Sequence, residues 1–78
     1  MNSQHRAIRA LLQSMAPRRA IDYIQSFELP EVEERILIEC DVRRRPYASL
    51  CSAGYSEKVI KDAKRRAYAK IADAINNG

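Results

Sequence analysis

GYSEKVIKDAKRRAYAKI, residues 54–71, opens on a glycine, carries six basic residues, and repeats small and branched apolar residues at helical spacing. At about 100° per residue, Ile60, Ala63, Ala67, Ile71 and Ala74 gather on one side of a helix. Lys58, Lys61 and Arg65 gather on a side well removed from that stripe, with Lys64 flanking them and Tyr68 on the border. Alanines in the stripe permit close approach of neighbouring elements. The pattern predicts a long helix to about Ile75, packed by a thin seam and presenting its first turns to solvent. Ser56 is the expected N-cap, with Glu57 beside it at the positive end of the helix dipole. Gly54 supplies the left-handed conformation that ends one helix and turns the chain.

Immediately upstream, PYASLCSA, residues 46–53, is long enough for two helical turns. A short helix, a tight turn containing glycine and a longer helix make the outline of a helix-turn-helix. Before it stands Arg43-Arg44-Arg45. Three adjacent arginines cannot share one helix face, so they fan out around a helix end. There they complement the negative end of the dipole or contact phosphate.

Pro17, Pro30, Pro46 and Gly54 divide the chain into five pieces of helical periodicity. Each proline sits where a helix begins, because the first turn does not use the missing N–H. The first piece, about Ser3 to Met15, has Ser3 as N-cap and a stripe of Ile8, Leu11, Leu12 and Met15. The second, about Pro17 to Phe27, contributes Ile21, Ile24 and Phe27. The third carries Leu29, Val32, Ile36 and Cys40 on its main stripe and Leu37, Ile38 and Val42 elsewhere. A helix apolar on more than one side is central, which sets this one between the amino-terminal helices and the carboxy-terminal pair. Its acids Glu31, Glu33, Glu34, Glu39 and Asp41 read as a solvated face, the first three favoured by the dipole. The alternative reading of those acids is a surface for a basic partner protein. The expected fold is therefore all-α, a single domain of four or five helices over residues 1–78, with residues 29–78 as the helix-turn-helix part. Gly78, the second glycine, is a boundary at the carboxy terminus.

Charge is divided unevenly. Residues 1–42 hold five basic and seven acidic side chains; residues 43–78 hold nine basic and three acidic, within a net charge of +4. A positive half joined to a negative half points to a polyanion partner for the carboxy-terminal part. No apolar run reaches the roughly 20 residues that span a bilayer, and MNSQHRAIRALL lacks a signal core. The expectation is a cytoplasmic protein with no membrane partner. Cys40 and Cys51 do not form a CxxC pair, and with one histidine a metal site is not expected; both cysteines read as reduced thiols in or near the core. His5 stands alone near the terminus, two glycines cannot build a phosphate loop, and the carboxylates lie among cations at helical spacing. No catalytic residue and no cofactor is expected, and the chain does not read as an enzyme.

Residues 29–75 resemble the region 4 fold of sigma factors, and more closely the phage transcriptional regulators of the ArpU and RinA kind. Leu29-Pro30, Glu33-Glu34-Arg35, Tyr47, Gly54-Tyr55-Ser56-Glu57, Ala67 and Ile71 carry the resemblance by their order and spacing. Where that family places an apolar residue and then alanine, five and four positions before the glycine, this chain has Ser49 and Leu50. The resemblance implies a small regulator of transcription, phage or prophage encoded, binding double-stranded DNA. It implies base reading by Glu57, Lys58 and Lys61, with Ser56 and Arg65 near phosphates. On the chain's own charge pattern, Arg43, Arg44, Arg45 and Lys64 are the further phosphate candidates, and the helix from Ser56 would enter the major groove. The rival expectation is a protein-interaction module docking on RNA polymerase, a repressor or a replication protein. RNA binding is disfavoured by the lack of an aromatic stacking platform. The first 28 residues are expected to supply a homodimer surface or a partner dock.

Overall fold

The computed structural model describes residues 3–77, so Gly78 lies outside the described residues. It is all-α, with no strand among the described residues: α1 Ser3–Ser14, α2 Pro17–Gln25, α3 Glu31–Leu37, a π-helical segment Ile38–Val42, α4 Tyr47–Ser52 and α5 Glu57–Asn77. None of these helices is long and apolar enough to cross a membrane.

The breakers act as their chemistry requires, with small displacements. Pro17 occupies the first position of α2, whereas Pro30 and Pro46 stand one residue before α3 and α4 with extended ψ of 146° and 155°. Ser3 lies inside α1 rather than ahead of it. At the α4–α5 turn, Gly54 takes φ +108° and the Tyr55 N–H donates to the Leu50 carbonyl at 3.2 Å. The Val59 N–H donates to Ser56 Oγ at 3.2 Å, so Ser56 caps α5. A Cβ at Gly54 would meet nothing within 4 Å. Gly54→Ala therefore tests backbone conformation alone; it should cost about 1–3 kcal/mol, read as a lowered urea midpoint with unchanged helical circular dichroism.

α5 is the axis of the fold, in contact with α1, α3 and α4. α3 runs antiparallel to it, Glu33 lying against Lys70 and Asp41 against Lys64. The π segment in turn meets α1 and α2, which puts the third piece between the amino-terminal helices and α5. Ile8, Leu12, Ile24, Leu29 and Leu37 pack with Ala67, Tyr68, Ile71 and Ala72 in the larger cluster. Ile36, Cys40, Leu50, Ile60 and Ala63 form a smaller one beneath the α4–α5 turn, edged by Tyr47 and Tyr55. Leu50 is thus the apolar residue that seats α4, and Ser49 faces outward. Each fully buried isoleucine here contributes about 1.5–3 kcal/mol of apolar transfer.

Several expected faces are corrected. Leu11 and Val32 are exposed, and so is Ala74; the last buried residues of α5 are Ile71 and Ala72, the latter in line with Lys64 and Tyr68. Cys51 is exposed on α4, while Cys40 alone is buried; burial pushes the Cys40 thiol upward. Of the acids expected on a solvated face, Glu31 is exposed and Glu34 half-buried, but the others are not solvated. Glu33 is buried and receives Lys70 Nζ at 2.8 and 3.0 Å, Glu39 is held by Arg43 and Arg45, and Asp41 is interior. Glu33 and Asp41 face α5, where Lys70 and Lys64 meet them. The helix closes in a π turn, the Arg43 N–H reaching back five residues to the Ile38 carbonyl at 2.9 Å, and Cys40 and Asp41 are buried within it.

Candidate nucleic-acid interface

The turn between α4 and α5 seats the first turns of α5 with one face on the core and the other in solvent. Ser56, Glu57, Lys58, Lys61 and Arg65 are exposed there. Lys58, Lys61 and Arg65 follow one another at i, i+3, i+7 along one edge of the helix, while Ile60, Ala63 and Ala67 point the other way into the core. Lys61 Nζ lies 3.1 Å from Glu57 Oε1 and Arg65 Nη2 lies 3.0 Å from Asp62 Oδ1. Both pairs are solvent-facing, so they contribute little to stability and leave the cations able to exchange partners.

Lys64 is a correction. It was expected among the outward cations, and it is 9% exposed. Its Nζ lies 3.5 Å from Asp41 Oδ1, and it approaches the Tyr47 and Tyr68 rings at 5.6 and 5.9 Å from their centroids. The cause is its register. Lys64 stands four residues after Ile60 and four before Tyr68, inside the stripe that α1 and α3 jointly cover. The Tyr68 hydroxyl donates to Asp41 Oδ2 in a buried hydrogen bond. Asp41 is 1% exposed. A buried carboxylate, an ammonium and a phenol thus tie the π segment to the middle of α5. Burial of the carboxylate is offset by the ammonium's opposite charge at one oxygen and the phenol's hydrogen bond at the other.

This cluster sets a pH dependence. The Tyr68 phenol is pushed far above its ordinary range, first by burial and then by the Asp41 carboxylate that accepts its hydrogen bond. In the unfolded chain a tyrosine ionises near about pH 10. The folded state keeps its proton, so stability is full below about pH 10 and declines above it, by up to about 1.4 kcal/mol per pH unit. Urea midpoints at pH 8.5, 9.5 and 10.5, referenced to Tyr68→Phe, should separate this slope from that of the other tyrosines.

The arginine triplet is spread out by the end of the π segment. Arg43 Nη1 lies 3.6 Å and Arg45 Nε 2.9 Å from the Glu39 carboxylate. Arg44 adopts φ +55° and its Nη2 donates to the Gln13 carbonyl at 2.9 Å, satisfying an end carbonyl of α1. One carboxylate against two guanidiniums leaves positive charge at this junction, and Arg43 and Arg45 remain half exposed.

The fold brings Lys61, Lys64 and Arg65 together with Arg9 of α1 around an open cleft of about 540 Å³. It keeps Arg43, Arg44 and Arg45 apart from that cleft's lining. Sequence reasoning missed Asp41 as an interior counter-ion; the available signal was its position among Leu37, Cys40 and the half-buried Ile38 and Val42. No family model matches this chain, and no curated protein or solved structure matches it significantly.

Proposed function

We propose that the chain binds double-stranded DNA through the first turns of α5 and acts as a regulator of transcription of the phage ArpU/RinA kind. The observation that carries this reading is the exposed row Lys58, Lys61 and Arg65 on the solvent face at the start of a capped helix, presented by a short helix and a glycine turn. B-DNA's major groove admits one such helix, and lysine and arginine there contact phosphates and guanine edges. Ser56 and Glu57 begin the helix at the depth where base edges would be read. Arg43 and Arg45 add a second positive point for the backbone. The excess of cations after residue 42 supports a polyanion partner.

Selection of bound duplexes from a random pool at two salt concentrations tests the reading. A recovered consensus, together with affinity falling steeply with salt as counterions are released, is the expected result. Recovery of no sequence at either salt would sink it. The rival, docking on a protein such as RNA polymerase, is separated by capture in the presence of nuclease. Its argument from an acidic helix is weaker, because Glu33, Glu39 and Asp41 have cations of this chain as partners.

A further inference from the structure

The cleft between α1, α4 and α5 has a construction that groove binding does not require. Its walls are the Tyr47 and Tyr68 side chains and the basic side chains around them; among the described residues no carboxylate lines it. Its volume, about 540 Å³, lies within the roughly 300–1,000 Å³ typical of small-molecule sites. At its floor Lys64 is nine-tenths buried, and its ammonium has Asp41 Oδ1 as ion-pair partner at 3.5 Å, beyond normal hydrogen-bond length. Among the described residues Asp41 Oδ1 accepts no hydrogen bond. The ammonium lies between the Tyr47 and Tyr68 rings at the border of the cleft, with no acceptor at normal hydrogen-bond length among the described residues. Arg9, Lys61 and Arg65 surround the opening, and His5 stands at one side with its ring 5.6 Å from that of Tyr68.

We propose that this cleft is a binding site for a small aromatic phosphate monoester. The phosphate would sit on Lys64 with Arg9 and Arg65 as further donors, since several converging cations suit a dianion with three acceptor oxygens. The ligand's ring would lie against Tyr47 and Tyr68, in the offset or edge arrangements that aromatic pairs prefer. The site belongs to the folded chain alone. Its regulatory consequence rests on the DNA reading above: Lys61 and Arg65 serve both surfaces, so an occupied cleft competes with duplex.

The test is a titration of the full chain followed by backbone amide chemical shifts, with phenyl phosphate, adenosine 5′-monophosphate and inorganic phosphate as separate probes. The two aromatic esters should saturate a common set of shifts at His5, Arg9, Tyr47, Lys64 and Tyr68, and inorganic phosphate should bind at least tenfold more weakly. Arg9→Ala, an exposed change, should weaken the esters about tenfold, and Arg18→Ala on α2 should leave them unaltered. Lys64→Met, checked for folding by circular dichroism, should abolish saturation. Equal affinity for all three probes, shifts scattered over every surface cation, or equal behaviour of the Arg9 and Arg18 variants would each overturn the proposal. Ester binding by a chain that ignores duplex would uphold the cleft and remove the DNA reading. Ester binding that leaves duplex affinity unchanged would overturn the competition.

Discussion

Asp41→Ala should destabilise the chain by about 3–5 kcal/mol, the cost of leaving a buried charge without its counter-ion. The substitution leaves the ammonium of buried Lys64 without its counter-ion and the hydroxyl of buried Tyr68 without its acceptor. Lys64 touches the cleft, so water reaches it in part, which favours the lower end of the range. A core of this size supplies only about 3–5 kcal/mol in all, so the variant should be largely unfolded at 37 °C. Asp41→Asn separates the charge from the hydrogen bond. It retains an acceptor for Tyr68 and should cost less than Asp41→Ala. A double change, Asp41→Leu with Lys64→Met, removes both charges and should recover most of the loss, since apolar replacements of buried ion pairs are often neutral. Urea unfolding of the wild type, the two single changes Asp41→Leu and Lys64→Met and their combination closes the cycle and gives the coupling. A loss under about 1 kcal/mol in Asp41→Ala would mean that the carboxylate does not hold the π segment to α5.

Why the helices were legible and this cluster was not follows from what periodicity reports. Pro17, Pro30, Pro46 and Gly54 act on the backbone through their own covalent structure, so the five segments could be divided without knowledge of any contact. Ser56 was legible for the same reason: an N-cap is a local hydrogen bond. Periodicity at 100° assumes an unbroken α-helix. At Asp41 the spacing was right, four residues after the buried Leu37, but an aspartate reads as a surface residue. At Lys64 the spacing was right, but the residue type pointed outward. A lysine at four residues from both Ile60 and Tyr68 belongs to the core stripe, and only the acid on a separate helix makes its burial tolerable. Arg44 gave no signal for its left-handed backbone, because arginine has no preference for it. Its hydrogen bond to Gln13, 31 residues away, is a product of the packed fold.

The candidate interface divides along the same line. Lys58, Lys61 and Arg65 are exposed because they lie opposite a seam that was read correctly over Ile60, Ala63 and Ala67. Exposure is a matter of helix phase and needs no partner to establish. The pairing of Arg43 and Arg45 on Glu39 is different in kind: it depends on where a π turn ends.

Reversing two of the exposed charges, Lys61→Glu with Arg65→Glu, is the decisive change for the proposed DNA contact. Each lost phosphate contact should lower the slope of log affinity against log salt by about 1, and each lost base contact should cost about 1–3 kcal/mol. The double variant should therefore bind the selected duplex at least about a hundredfold more weakly near 0.1 M salt, with a visibly flatter salt dependence. Fold is not at stake. Both side chains are exposed, and the new like-charge neighbours Glu57 and Asp62 cost only a few tenths of a kcal/mol each on a helix surface. Two internal references sharpen the outcome. Arg18→Glu with Arg19→Glu on α2 changes net charge equally at a distance from α5, so it isolates the long-range field from contact. Lys58→Ala removes a single cation from the same row and should fall between the two. If the Lys61 and Arg65 reversals weaken duplex no more than those on α2, the attraction is diffuse and α5 does not enter the groove. If duplex binding survives both, the row on α5 serves another partner.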